Sequence, residues 1–584
     1  MIVQPRRDTE QATPPVPGGR IRPPMGERAS VATQLRRLEC LRDEFGPEAA
    51  AKKRRLIASI ARRRLRSAGQ VLRFHEVLCF WRAYPDDPAT LAAVERVLRR
   101  FPRRADLRRH AEELAGSGIG GTAIRFSFFH VMADWLAERW PDRLRVDWES
   151  CESGERLSML LYLLLTPSEI PMLDALTLQA REWIERVKPA HSSDAAFVLR
   201  RFARLPLSRL GRELLYDDLE LPLLLSPGPD TPSRSLSRRH GSRVAYRPGP
   251  LRRERPDLAV ESGRPPRRLR DVSTRQAREL LDLAREAMVT RARDLDAFAN
   301  ADLRDVRVAD LGGGLEVACF GVRPERRFLL ESLYGFLMIR SGVPIGYTQS
   351  TALLGSVEVA FNVFETFRGA ETAWILARTL ALFRTLFAAD VFAVEPYQLG
   401  HENDEGLASG AFWFYYKLGF RPVEPAVRRL VASELDRMRR DPSHRSGEAV
   451  LRRLVTGWLV LQLGRPRRDV LGRFSSGRVG ERIARMLSRR FGADRERGLE
   501  QCATEARRRL GAGGLRGWSD DEREAWRRWG PLLAVVPGIA EWTRGERRGV
   551  VSIVRAKGGR RESDYVVAFD RHERLRRAVA ALGS

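Results

Sequence analysis

Residues 362–380 read NVFETFRGAETAWILARTL. The apolar alternation of the preceding VEVAFNVF reads as a strand, and a helix is expected from about residue 369 to 388. Between them stand Arg368 and Gly369. A strand that enters a helix through such a turn leaves unpaired N–H groups at the helix N-terminus, where the dipole favours an anion. Glycine there lets the backbone approach that anion closely. Reading this turn as strand, anion loop and helix makes the middle of the chain an α/β unit.

Working outward, LEVACFG, YGFLMIR and VPIGYTQSTALL precede VEVAFNVF with a period of two, so residues 315 to 365 read as strands. Ser341-Gly342 and Leu354-Gly355-Ser356 are the expected turns. After the helix come a short strand, VFAVEPY, and an aromatic segment, GAFWFYYKLGFRP at 410–422. Upstream, Ser273 and Gln276 form a capping-box pattern before RELLDLAREAM, so a helix starts there. Residues 31–225 follow a helical pattern, with Val31, Leu35, Leu38, Leu41 and Phe45 along one face. Residues 226–272 are rich in Pro, Ser and Arg and form a linker or an extended wrapping segment. Residues 1–30 have a disordered composition. From 440 to 584 helices return, and VVSIVRAK and SDYVVAFD around Gly558-Gly559 suggest a β-hairpin. The expected fold class is multidomain α+β: a central mixed-sheet α/β domain over 273–435, flanked by mainly helical N- and C-terminal regions.

Bulk properties narrow the function classes. At 584 residues the chain exceeds one ordinary core. The formal net charge of +28 suggests an anionic partner such as nucleic acid. Almost all of it is arginine, a skew that a GC-rich genome also produces, and no RNA-binding or zinc-finger motif accompanies it. Cys40, Cys79, Cys151, Cys319 and Cys502 offer neither a CxxC pair nor zinc spacing, so buried free thiols in a reducing compartment are expected. The N-terminal residues lack an apolar signal core. The longest apolar stretch, Trp374 to Val394, is broken by Arg378 and Arg384, so no membrane span and a cytoplasmic location are expected.

The order of strands and helices, with NVFETFRGAETAWILARTL followed by AFWFYYKLGF, resembles the GNAT N-acetyltransferase superfamily over about residues 315–425. The resemblance implies an acyl-CoA-dependent N-acyltransferase. Acetyl-CoA or another acyl-CoA would be the co-substrate, and an amine on a small molecule or protein would be the acceptor. It places the CoA pyrophosphate at Arg368, Gly369, Ala370 and Ala373. The pantetheine arm would lie against the backbone of Phe361, Asn362 and Val363, between two strands that splay apart. Glu371 departs from the pattern, since it replaces a glycine. A carboxylate ~4 Å from a phosphate charge costs on the order of 1 kcal/mol in water and ~4 at an effective dielectric of 20. Glu371 either satisfies its own helix N-terminus or repels the phosphate, leaving a fold without CoA binding.

Tyr415 matches the tyrosine that would protonate the leaving thiolate; the alternative is a packed core aromatic. Phe412, Trp413 and Phe414 are assigned to packing. A base for the incoming ammonium is sought among Glu358, Glu365 and Glu395, each of which could equally be a solvated strand-end acid. The loop with His401, Glu402, Asp404 and Glu405 could attract a cationic amine or be a plain polar loop. Two other readings remain: a catalytically degenerate scaffold or interaction protein, and a basic nucleic-acid-binding protein.

Overall fold

A computed structural model describes residues 30–583. The expected tail lies outside them except for Ser30, whose hydroxyl accepts from Thr33 N–H and caps the helix Val31–Cys40. About 52% of the residues are helical, and one large mixed sheet forms the centre. Residues 31–119 pack as helices into the same core as that sheet. Residues 124–225, together with Val289 and Ala299, form a second hydrophobic core, so the N-terminal region expected as one helical domain contributes to two cores. It is also not purely helical. Strands β1 (Ile124–Phe126), β2 (Leu144–Val146) and β3 (Leu223–Leu225) make a small antiparallel sheet in the order β1-β3-β2. Runs of three residues are too short to announce a period.

The central sheet has nine strands: β4 (Arg268–Asp271), β5 (Ala301–Gly312), β6 (Leu315–Val322), β7 (Ser332–Arg340), β8 (Val343–Leu353), β9 (Ser356–Val363), β10 (Val391–Val394), β11 (Arg421–Pro422) and β12 (Leu459–Gln462). Their spatial order is β4-β5-β6-β7-β8-β9-β10-β12-β11. Neighbours are antiparallel except β9 and β10, which the helix Thr372–Phe387 joins as a parallel pair. The expected turns are present. Ser341-Gly342 and Leu354-Gly355 both have positive φ throughout, the geometry of two-residue hairpins that match strand twist, with glycine second.

Helices cover both faces, which is why every residue of β7 is buried. On one face Phe336 packs on Phe383 of the helix Thr372–Phe387, with centroids 4.9 Å apart. On the other, Gly335 lies under Phe298, close enough that a Cβ would come within 2.9 Å of the ring. The helix Thr372–Phe387 is apolar nearly all round and accordingly buried. Arg378, which breaks its apolar run, donates to Glu261 O (2.8 Å), Arg264 O (2.6 Å) and Pro265 O (3.1 Å), the carbonyls at the end of the helix Leu258–Gly263. No helix among the described residues is long and apolar enough to cross a membrane.

The Pro- and Arg-rich stretch is a wrapping segment. Its Arg239 N–H donates to Gly342 O and its Arg247 N–H to Pro85 O. Arg82 holds it by Ser235 O and Arg234 O at 2.7 Å each. Its end supplies β4, which pairs antiparallel with β5 and precedes the helix Thr274–Val289. That helix carries the expected Ser273/Gln276 capping box.

Three sequence expectations are corrected. The C-terminal hairpin is absent: Arg544–Lys557 and Glu562–Arg571 are helices, the first opened by a Thr543/Glu546 capping box. Val550, Ile553, Val554 and Lys557 are buried at helical spacing, and VVSIV only imitates alternation. β5 was hidden because Asp302, Asp305 and Arg307 interrupt it, yet all three are buried. Asp305 bonds the Tyr334 hydroxyl and Arg307 the Ser563 hydroxyl. β12 lies within a region expected to be helical and inserts antiparallel between β10 and β11.

Candidate functional site

β9 and β10 pair for only three residues, Ser356–Val391, Val357–Phe392 and Glu358–Ala393. β9 then continues to Val363, bonded only to β8, while β10 stops at Val394. Pro396, with no N–H to give a ladder, starts a helical turn. From Val359 onward one edge of β9 therefore has no strand beside it among the described residues. Phe361 and Asn362 lie along this edge half-buried, and Val363 is buried.

Glu358 stands where the strands part. Thr351, its cross-strand partner, donates its hydroxyl to Glu358 Oε2 at 3.1 Å. Glu395 follows two residues after Ala393, the residue that pairs with Glu358, so both carboxylates share a face. Neither Glu358 nor Glu395 has an ion-pair partner among the described residues, although the chain is strongly basic. Burial first, and the charge of Glu395 second, push the Glu358 carboxyl up to about 7. Burial likewise raises Glu395. A carboxylate that is half-ionised near neutrality can both accept and release a proton.

The anion-loop region is arranged differently. Glu365 begins a one-turn helix, Glu365–Phe367, and its side chain is exposed, apart from Glu358. Gly369 has φ +78° and open space around its Cα. Arg42, from the N-terminal helices, holds the loop by Thr366 O (2.9 Å) and Arg368 O (3.0 Å). The Arg368 guanidinium turns back to Val363 O (3.1 Å) and pairs with Glu405. Glu405 also binds Arg293 at 2.5 Å, and Asp404 pairs with Arg452 at 3.3 Å. The acids of that loop are thus partly spoken for, while His401 and Glu402 are exposed. Ala370 is buried and Ala373 half-buried in the first turn of the helix.

Glu371 occupies the N-cap position, yet its side chain makes no capping bond. It is 1% exposed and turned inward. Arg247 of the wrapping segment pairs with one oxygen, and Arg340 at the end of β7 lies 3.1 Å from the other. Neither sequence reading of Glu371 describes this: it does not satisfy its own helix, and its charge is matched by the buried Arg340 and the half-buried Arg247. The partners lie 124 and 31 residues away in the chain, so no local pattern could have announced them.

Tyr415 lies on the helix Ala411–Lys417, 3% exposed, edge-on to Phe414 and Phe420 at 5.3 Å each. Burial raises its pKa, so the phenol keeps its proton. Its neighbour Tyr416 faces elsewhere, with Arg421 over its ring at 4.5 Å. Phe412 is buried as packing, as expected, while Trp413 and Phe414 are half-buried. Cavities of about 160 and 70 Å³ lie against the C-terminal helices, lined by Arg560 and Asp564 and by Phe328 and Trp529. Both are below the usual size of a ligand site and neither includes the site residues. No group of three His, Cys, Asp or Glu among the described residues is placed to hold a metal ion.

No protein-family model matches the chain, and no curated protein and no solved structure is significantly similar to it.

Proposed function

We propose that the central domain is an acyl-CoA-dependent N-acyltransferase that transfers an acetyl or longer acyl group to an amine by direct attack in a ternary complex. The observation that carries this reading is Glu358, an acid without a cation, raised to about 7 at the point where a parallel strand pair parts. The free edge of β9 offers backbone groups to an extended amide-bearing arm. Glu358 takes a proton from the ammonium, and Glu395 beside it favours a cationic acceptor. The amine nitrogen bonds to the thioester carbonyl carbon, and the carbon–sulfur bond then breaks. The departing thiolate takes up a proton, and the resemblance gives Tyr415 as its donor. Glu371, already paired, does not oppose a phosphate as a free carboxylate would.

A second reading has its own support. Arg368 is engaged by Glu405 and Val363 O, as it would be in a scaffold that binds no CoA. Calorimetric titration of the full chain with acetyl-CoA and with a longer acyl-CoA separates the two. Saturable binding at one site per chain supports the transferase, and acceptor screening follows. Absence of heat with both overturns it in favour of the scaffold.

A further inference from the structure

The charge of +28 is unevenly distributed. Residues 273–435 hold 18 basic and 21 acidic side chains, whereas residues 436–584 hold 35 basic and 19 acidic. The sheet domain is slightly acidic and the C-terminal helices are strongly basic. Within them, residues 464–516 carry fifteen arginines against six acids.

The helix Ser476–Phe491 concentrates this charge on one face. Arg478, Arg482, Arg485 and Arg489 are all exposed. Spaced by four, three and four residues, they fall within about 60° of arc and span about 16 Å of helix. Only Arg485 has an acidic partner, Glu481; Arg478, Arg482 and Arg489 enter no ion pair among the described residues. Arg490, off this face of the same helix, differs: Glu505 of the helix Arg495–Leu510 pairs with it and also reaches Arg509 at 3.5 Å. The three arginines without a counter-charge repel one another, and a polyanion relieves that repulsion.

We propose that this arginine face docks on the phosphate backbone of a nucleic-acid duplex. Planar guanidiniums suit phosphate, with paired donors in a fixed fork. A helix of this width fits the major groove, and a row at one-turn intervals can track phosphates along a strand. The apolar side of the helix argues against a membrane surface. An interfacial helix must offer apolar residues to lipid, but Val479 and Leu487 are buried within the protein. The inference is independent of the acyltransferase reading, since it concerns another part of the chain.

The test is fluorescence anisotropy of the full chain with a labelled 20-base-pair duplex, as DNA and as RNA, from 50 to 200 mM KCl. The four arginines alone give a slope of log affinity against log salt of about −3.6, a loss of about 100-fold across that range. The variant R478Q/R482Q/R485Q/R489Q is expected to lose most of that slope, and the corresponding fourfold lysine variant to retain it. R99Q/R100Q/R103Q/R108Q removes the same charge from exposed arginines of the N-terminal helices and is expected to bind like wild type. The proposal is overturned by absence of duplex binding, by equal loss in both glutamine variants, or by binding only to vesicles containing phosphatidylserine.

Discussion

Two glutamates thirteen residues apart at the two ends of one strand-turn unit, Glu371 buried and Glu358 half-buried, are treated in opposite ways. Glu371 sits between Arg247 and Arg340 and is sealed from solvent. Glu358 has a threonine hydroxyl and a second carboxylate for neighbours, and no cation. The first arrangement fixes a wrapping segment to the end of the sheet. The second costs stability at neutral pH and leaves a group able to exchange a proton, as the proposed base must. The difference teaches that acid type and burial are poor guides to role, and that the partner decides.

Removing the partnered acid gives the largest expected effect. Glu371→Gln leaves the buried Arg340 and the half-buried Arg247 without their counter-charge, with a loss of about 3–5 kcal/mol in denaturant unfolding. An unchanged midpoint would show that the pairing is not structural. The equivalent change at the other acid acts on turnover. Glu358→Gln is expected to lower acyl transfer by about 100-fold or more and to remove a rise in rate centred near pH 7. Full activity in this variant would exclude Glu358 as the base.

The same substitution has a smaller effect of opposite sign on stability. The Glu358 carboxyl is raised from its usual 4.5 to about 7, so the folded state holds the proton more tightly than the unfolded chain. The resulting cost is absent below pH 4.5, grows between 4.5 and 7, and is complete above 7. Glu358→Gln should therefore stabilise the protein at pH 8 by on the order of 2 kcal/mol and leave it unchanged at pH 4. A loss at pH 8 would mean that an unseen cation compensates the carboxylate. Tyr415→Phe should slow transfer by about tenfold with acyl-CoA affinity unchanged. Glu405→Gln, at a half-exposed pair, should change stability by less than about 1 kcal/mol while freeing Arg368. Acyl-CoA affinity that rises in this variant identifies Glu405 as a competitor for that arginine.

Much of the sheet was legible in the sequence. Two-residue turns with glycine second, at Ser341-Gly342 and Leu354-Gly355, and the periods of β6 to β9 place those four strands. The strands that escaped are those whose signal lies outside the strand itself. β5 buries charges that are matched by Tyr334 and Ser563 far along the chain, and β12 is four residues long. At the candidate site, the sequence offers Glu358 only as one of three possible bases, and Tyr415 only through the resemblance. What distinguishes Glu358 from Glu371 is not legible there, since Arg247, Arg340 and Glu395 reach them only through the folded chain. The charge asymmetry between sheet and C-terminal helices was present in the sequence, but the arginine face emerges only once Glu505 and Glu481 are seen with their partners.

The contrast between the two glutamates rests most directly on the ionisation of Glu358. Carbon-13 NMR of selectively labelled glutamate, assigned by Glu358→Gln and followed from pH 4 to 9, measures it. The account predicts a midpoint near 7 that falls part of the way towards 4.5 in Glu395→Gln, because burial is the larger cause and remains. A midpoint near 4.5 in the wild-type protein would contradict it.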